Sequence, residues 1–258
     1  MRIGAVKMTA ATAAVALSAV MAASCGAGVD RDGGSGLFRQ YEYEEEVYLS
    51  LDGTATVYVH SSLPALNALR GTAFPTTPNA PLDREAVRAF FSTPVTRVVG
   101  RIDASRRRNR RFVHVRVEVD DIRWLGEAAP FSWSAYDFRR DGDLYMFRQT
   151  VGTGAGKDVR DVGWSGDEVV AFRLHLPSRI RYHNSGGEIG RGNILVWEQP
   201  FVARLQGVRL TLDARMDPDS ILYRTLWLFG CTFVAVAVAF ALVIVWVVRR
   251  APVEERAA

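Results

Sequence analysis

Cysteine is scarce in this sequence, and its scarcity excludes a disulfide-stabilised domain. The chain of 258 residues has two cysteines, Cys25 and Cys231. Because Cys231 lies inside a long apolar run, Cys25 has no second cysteine to pair with in the rest of the chain. The four histidines are far apart, at His60, His114, His175 and His183. Their spacing matches no metal motif, so we predict no metal site and no cofactor.

The sequence also lacks the short motifs of common enzyme sites. The glycine-rich run 152–156, followed by Lys157, resembles a phosphate-binding loop. However, Val151 stands where the first glycine is required, and Asp158 where a serine or threonine is required. Pairs of carboxylates fall at strand ends and turns, where aspartate is common for conformational reasons. We therefore predict no catalytic residue.

Lysine is almost absent as well, since Lys7 and Lys157 are the only two and arginine supplies the other basic residues. The net charge is +4. Half of this positive charge belongs to Arg2 and Lys7. The last ten residues carry one more positive than negative charge. The part of the chain between them is therefore close to neutral. A clustered basic face is what nucleic-acid binding requires. The charge distribution therefore excludes nucleic acid as the expected partner.

Charge of either sign is missing from the stretch Thr225–Val248. This run exceeds the roughly 20 apolar residues that cross a bilayer, and it lacks the polar stripe of a core helix. We predict a transmembrane helix over 221–248. Because Arg249 and Arg250 follow it, the tail 249–258 is expected in the cytoplasm and the N-terminal part outside.

The N-terminus has the layout of a secretory signal. Arg2 and Lys7 precede an apolar run that ends in small residues before Cys25. We predict a signal peptide over 1–24 and a glycine-rich linker over 25–36. Small residues directly before a cysteine are typical of bacterial lipoproteins, so Cys25 is the expected site of lipidation. Ordinary cleavage beside Ala23 or Ser24 stays open, because Ala22 stands where leucine is usual.

The segment 37–220 is predicted to be one exported α+β domain with a mainly antiparallel sheet. Asp52-Gly53 indicates a hairpin within 38–60, and Leu63, Leu66 and Leu69 recur at helical spacing. Asp83–Phe91 predicts a second short helix capped by Asp83. Five further regions are expected to be strands: 111–121, 131–138 with 143–151, 168–176, 193–198 and 208–214. We expect Met216–Ser220 to be a linker into the membrane.

A cluster of five arginines lies just before the clearest strand: Arg106, Arg107, Arg108, Arg110 and Arg111. In that strand the valines from Val113 to Val119 alternate with polar residues, so one face is core. The cluster therefore falls at a hairpin tip. One interpretation is a site for phosphate or carboxylate head groups, which match the geometry of arginine. The other is a solvated basic turn, and both lead us to expect an unchanged fold when all five are replaced.

A set of short motifs in the C-terminal half resembles the LppM-type bacterial lipoproteins. The set comprises Leu176-Pro177, the run 183–187, the run 192–197, Gly207 and the membrane span close behind. Cys25 and Asp52-Gly53 fit the same plan of a lipidated signal, an exported αβ domain and a C-terminal helix. The resemblance implies an envelope protein suspected of binding lipids or glycolipids, with no established catalytic residues.

These observations predict a lipoprotein of the bacterial cytoplasmic membrane whose main domain lies on the extracytoplasmic side. We expect this domain to bind a lipid, a glycolipid or a membrane-protein partner without catalysis. A hydrolase or transferase acting on envelope polymers is the alternative. A cleft with convergent ionisable groups would favour the enzyme.

Overall fold

The computed structural model describes residues 41–77, 79–156 and 164–250. The predicted signal peptide, Cys25, the glycine-rich linker and the tail from residue 251 onward lie outside the described residues. Within the described part, strands and short helices form an α+β domain followed by one long apolar helix, as predicted.

The strands and helices are numbered in chain order. The strands are β1 (Tyr41–Leu49), β2 (Ala55–Ser62), β3 (Arg97–Val98), β4 (Asp103–Arg107), β5 (Arg110–Val119), β6 (Ser134–Asp141), β7 (Leu144–Val151), β8 (Val169–His175), β9 (Ser178–His183), β10 (Ile194–Pro200) and β11 (Leu210–Ser220). The helices are α1 (Leu63–Arg70), α2 (Arg84–Phe91), α3 (Phe201–Leu205) and α4 (Ile221–Arg250).

The strands form two sheets rather than the one that the sequence led us to expect. The larger sheet has the order β10-β8-β1-β2-β5-β3, with β4 also paired to β5. The smaller sheet has the order β6-β7-β11-β9. The pairing of β1 with β8 is parallel and the other pairings are antiparallel, so the prediction of a mainly antiparallel fold is confirmed. Strands β3, β4 and β9 were not predicted.

Local signals at the ends of the elements behave as expected. The Oδ1 atom of Asp52 accepts a hydrogen bond from the Thr54 N–H at 3.0 Å in the β1–β2 turn, where Gly53 has a φ of 91°. The Asp83 side chain caps α2 by accepting from the Ala86 N–H at 2.9 Å. Ser62 caps α1 in the same way through Ala65. Both predicted helices are therefore confirmed, whereas α3 was missed.

The core lies between the two sheets and includes the buried carboxylate of Glu45. Val113, Val115, Val117 and Val119 all point into this core. Glu45 on β1 lies there as well, with its side chain fully buried. It accepts hydrogen bonds from the hydroxyl groups of Tyr43 at 3.1 Å and Tyr136 at 2.8 Å, and from the Nε2 atom of Gln149 at 2.9 Å. Burial raises the pKa of Glu45, and these bonds oppose the rise. The carboxylate thus joins β1 to β6 and β7.

The predicted linker Met216–Ser220 is wrong, because it is the last part of β11. Met216 pairs with Ile180, and Ser220 pairs with Ser178 on β9. The ladder shifts between Met216 and Ser220, and such irregularity accommodates a proline that has no N–H to donate. Helix α4 begins at the next residue, where the Ile221 N–H donates to the Pro177 carbonyl at 3.0 Å.

Helix α4 is long and apolar enough to cross a membrane. The mean hydropathy of its most apolar 18-residue stretch is 2.9, and none of that stretch is buried. The exposed side chains include Trp227 and Trp246, which suit the two membrane interfaces. One membrane-spanning candidate therefore follows directly from β11, without a flexible connection.

Candidate functional site

A cleft lies on the face of the larger sheet that points away from the core. Its volume is about 230 Å³. It is lined by Tyr41, Glu44, His60, Arg107, Phe112 and His114. These residues come from β1, β2, β4 and β5, which lie side by side in the sheet. Their side chains share one face because side chains alternate along a strand, and the intervening Val59 and Val113 point into the core.

Two histidines meet in this cleft. His60 lies directly opposite His114 in the β2–β5 register, and their Nδ1 atoms are 2.7 Å apart. At that distance one nitrogen donates and the other accepts, so the pair holds one proton between them. The Nε2 atom of His114 is 2.8 Å from the hydroxyl of Ser105 on β4. Burial lowers the pKa of both histidines, which favours their neutral forms.

Carboxylates beside the cleft are paired with basic groups or hydroxyls. Glu44 forms an ion pair with Arg173, and burial nevertheless raises the pKa of Glu44. Glu46 contacts the Nε2 atom of His175 at 2.5 Å, and this hydrogen bond lowers the pKa of Glu46. Tyr41 donates its hydroxyl hydrogen to a carboxylate on β10. The negative groups on this face are thus largely compensated.

Three of the predicted arginines lie together at the hairpin tip, and Arg107 among them lines the cleft. Arg106, Arg107 and Arg108 are exposed, and with Asn109 they form what we name the basic tip. Positive φ angles at Arg108 and Asn109, 45° and 62°, are those of a two-residue hairpin turn. The prediction of a hairpin tip is therefore confirmed. The Arg107 guanidinium lies 5.6 Å from the centre of the Phe112 ring, and it reaches into the cleft.

The other two arginines of the predicted site are placed differently. Arg110 is buried and forms a salt bridge with buried Glu42 at 2.9 Å, while Glu168 lies 3.9 Å away. Arg111 is half-buried on β5. The five arginines therefore do not form one exposed surface. The expectation that all five can be replaced with the fold intact is wrong, because Arg110 neutralises buried carboxylates.

Of the cleft residues the sequence predicted Arg107. The two histidines were missed, because residues 54 positions apart form no motif. Only the register of β2 against β5 brings them together. The sequence also predicts that aromatic residues of this region, among them Trp124, Phe131, Trp133 and Tyr136, belong to the core. Phe131, Trp133 and Tyr136 are buried there, but Trp124 is exposed. Among the described residues, no group of three or more His, Cys, Asp or Glu could hold a metal ion.

Comparison with known proteins returns one structural similarity. No family model matches the chain, and no curated protein is similar to it. The folded domain of LppM from Mycobacterium tuberculosis, solved by NMR, is 13% identical in sequence. The alignment covers 72% of this chain and 95% of that domain, with a TM-score of 0.39. The protein found is of the type that the sequence motifs resemble.

Proposed function

We propose that this is a membrane-anchored envelope lipoprotein whose domain binds the anionic head group of a lipid or glycolipid. The supporting observation is the cleft beside the basic tip, with Arg107 in its wall and the exposed Arg106 and Arg108 as its neighbours in sequence. Arginine forks match the geometry of phosphate and carboxylate. The site is thus proposed for the polar part of the ligand.

The size and lining of the cleft favour a head group over an acyl chain. Pockets that enclose apolar or drug-sized ligands measure roughly 300–1,000 Å³ and are mostly hydrophobic. This cleft is smaller, at about 230 Å³, and five of its six lining residues carry an ionisable group. Phe112 is the exception, and it offers one apolar surface against which a sugar or glycerol carbon could pack.

The cleft lies far from the point where α4 leaves the domain. The Ile221 N–H donates a hydrogen bond to the Pro177 carbonyl. Pro177 comes just after the end of β8, where His175 pairs with Tyr48 of β1. The basic tip lies beyond the other end of β1, near Tyr41. Seven residues of strand separate the two ends, or about 25 Å at the usual rise per residue. The start of α4 and the basic tip therefore lie toward opposite ends of β1.

A second anchor would act at the end where the tip lies. The chain from Cys25 to Tyr41 spans at most roughly 55 Å when extended, and Tyr41 lines the cleft. We propose that Cys25 is acylated and holds this end near the membrane. The basic residues after α4 support a cytoplasmic tail and an extracytoplasmic domain.

The head-group proposal predicts that the triple variant R106Q/R107Q/R108Q binds anionic lipid at least tenfold more weakly. Each basic residue near an anionic surface contributes about 1 kcal/mol. The measurement is a titration of the full chain, held in neutral detergent, with dihexanoyl phosphatidylglycerol. Dihexanoyl phosphatidylcholine serves as the uncharged reference lipid.

The matched control is R139Q/R140Q, which removes two exposed arginines from the tip of the β6–β7 hairpin. This variant should retain parental affinity. Equal binding by the parent and the triple variant would contradict the proposal. So would an equal loss in the control, because a general charge effect would then explain the result.

Acylation of Cys25 predicts a mature protein that begins at Cys25 and carries the added mass of acyl chains. Mass spectrometry of the N-terminal peptide from purified membranes checks this. The variant C25S should retain its signal segment or be cleaved elsewhere, without acyl mass. A free N-terminal amine on Ala23, Ser24 or Cys25 without acyl mass in the parent would leave α4 as the anchor and refute this part of the proposal.

A further inference from the structure

Two side chains of the cleft, His60 and His114, form a line with the neighbouring Ser105 that the binding proposal does not use. The Ser105 hydroxyl is 2.8 Å from the Nε2 atom of His114. The Nδ1 atom of the same ring is 2.7 Å from the Nδ1 atom of His60. A hydroxyl, an imidazole bonded to it and a third group that orients the imidazole form the arrangement of an activated nucleophile.

The position of one proton decides whether Ser105 is activated. When the proton between the two rings is bonded to His114, the Nε2 atom of neutral His114 accepts the Ser105 hydroxyl hydrogen. When it is bonded to His60, His114 instead donates its Nε2–H to Ser105. The two arrangements interconvert when this proton moves from one Nδ1 atom to the other and the Nε2 atoms of the two rings exchange their own protons. The first is the form in which His114 is a base toward serine.

The charges around His114 suit a base that must gain and lose a proton. Burial lowers its pKa, and His60 and Arg107 lower it further, so the neutral ring prevails at neutral pH. Asp103 on β4 and Glu44 on β1 act in the opposite direction, and they would stabilise the imidazolium formed during a reaction. Glu46 raises the pKa of His60, whereas burial, Arg107 and Arg173 lower it.

We infer that Ser105 is the nucleophile of an acyl-ester hydrolase site, with His114 as its general base and His60 as a positioning residue. The substrate class is a carboxylic ester whose anionic group lies beside Arg107. This inference shares the cleft with the head-group proposal but is supported by separate hydrogen bonds. It adds an activity to the binding proposed above.

The reaction proceeds in two balanced halves. The Ser105 Oγ atom bonds to the ester carbonyl carbon while its hydrogen passes to the Nε2 atom of His114. The carbon–oxygen bond to the alcohol breaks, and the alcohol oxygen takes that proton as it leaves. Water then attacks the acyl-serine with His114 again accepting and returning the proton, which releases the carboxylic acid and restores Ser105.

Turnover should be slow compared with serine hydrolases that have an aspartate in the third place. His60 is a neutral acceptor and stabilises the imidazolium less than a carboxylate does. A covalent probe is therefore a better readout than product formation. A fluorophosphonate forms a stable bond to an activated serine and needs no lipid substrate.

The test exposes the full chain in neutral detergent to a fluorophosphonate probe and locates the label by mass spectrometry. Ser105 should carry the label, S105A should lose it, and H114Q should be labelled at least 100-fold more slowly, since a general base contributes roughly 10²–10⁴-fold. In H60Q the labelling midpoint should move to higher pH, because His60 helps to lower the pKa of His114. A merely structural role for His60 would not move that midpoint.

The chain offers a matched control in a second serine–histidine pair. The Ser185 hydroxyl is 2.7 Å from the Nδ1 atom of His183, and this pair lies outside the cleft. The variant S185A should be labelled at the parental rate. An unlabelled Ser105 in the folded parent, equal labelling of H114Q, or a label on Ser185 instead would overturn the inference. The probe experiment contains no lipid. Its failure would therefore not bear on the head-group proposal, which the phosphatidylglycerol titration tests separately.

Discussion

Replacing Arg110 with glutamine should lower the free energy of unfolding by about 3–5 kcal/mol, the usual effect of breaking a buried ion pair. The guanidinium lies 2.9 Å from Glu42 and 3.9 Å from Glu168, and all three side chains are at most 3% exposed. A neutral amide would leave two buried carboxylates without a compensating charge. This prediction separates Arg110 from its exposed neighbours.

Guanidinium titration of the full chain in detergent, followed by the near-UV circular dichroism of the domain, measures this change. The matched control is R108Q, which alters an exposed arginine of the same cluster and should stay within about 0.5 kcal/mol. The double variant E42Q/R110Q should recover part of the loss, because one stranded charge is removed. A loss below about 1 kcal/mol in R110Q would show that the ion pair does not stabilise the fold.

Removing the buried carboxylate with E45L should destabilise the domain by at least about 2 kcal/mol. The hydroxyls of Tyr43 and Tyr136 would lose their acceptor, whereas the Nε2 group of Gln149 keeps the Ser134 and Tyr136 hydroxyls. Each buried polar group without a partner costs about 1–3 kcal/mol. The same titration checks this, with E45Q as the control that keeps an acceptor oxygen. Equal stability of E45L and the parent would refute the proposed role of Glu45.

Glu45 also predicts how stability depends on pH. Because burial raises its pKa in the folded state, the folded domain binds this proton more tightly than the unfolded chain does. Its favourable contribution is therefore complete below the unfolded pKa and is lost as pH rises through the folded pKa. Relative to E45Q, which does not titrate, the parent should become less stable as pH rises above the ordinary pKa of glutamate. A difference that stays constant as pH rises would contradict the assignment.

The parts of the fold that were predicted correctly depend on neighbours in sequence. The alternation from Val113 to Val119 is complete within one strand, and Asp83 caps a helix three residues away. Asp52-Gly53 likewise acts within its own turn. The failure at Met216–Ser220 has the opposite cause. There, pairing with β9 and the ion pair of Asp217 with Arg181 at 2.6 Å outweigh the poor strand propensity of Pro218.

The site was harder to predict because its chemistry arises between distant strands. Arg108 and Arg110 look alike in the sequence, yet one lies at a turn and the other is enclosed by Glu42 and Glu168. Likewise, the pairing of His60 with His114 depends on one register. A slip of one residue would put the two side chains on opposite faces. Local patterns do not contain that information.

The direct passage from β11 into α4 has a mechanical consequence. β11 lies between β7 and β9, with hydrogen-bonded ladders on both sides. A pull on the helix along the strand axis would load these ladders in shear, so that many bonds must break together. A pull perpendicular to the strand would instead break these hydrogen bonds one at a time. The domain is thus joined to its membrane helix through the strand that best resists tension, and movement of the helix would be transmitted to the smaller sheet as a whole.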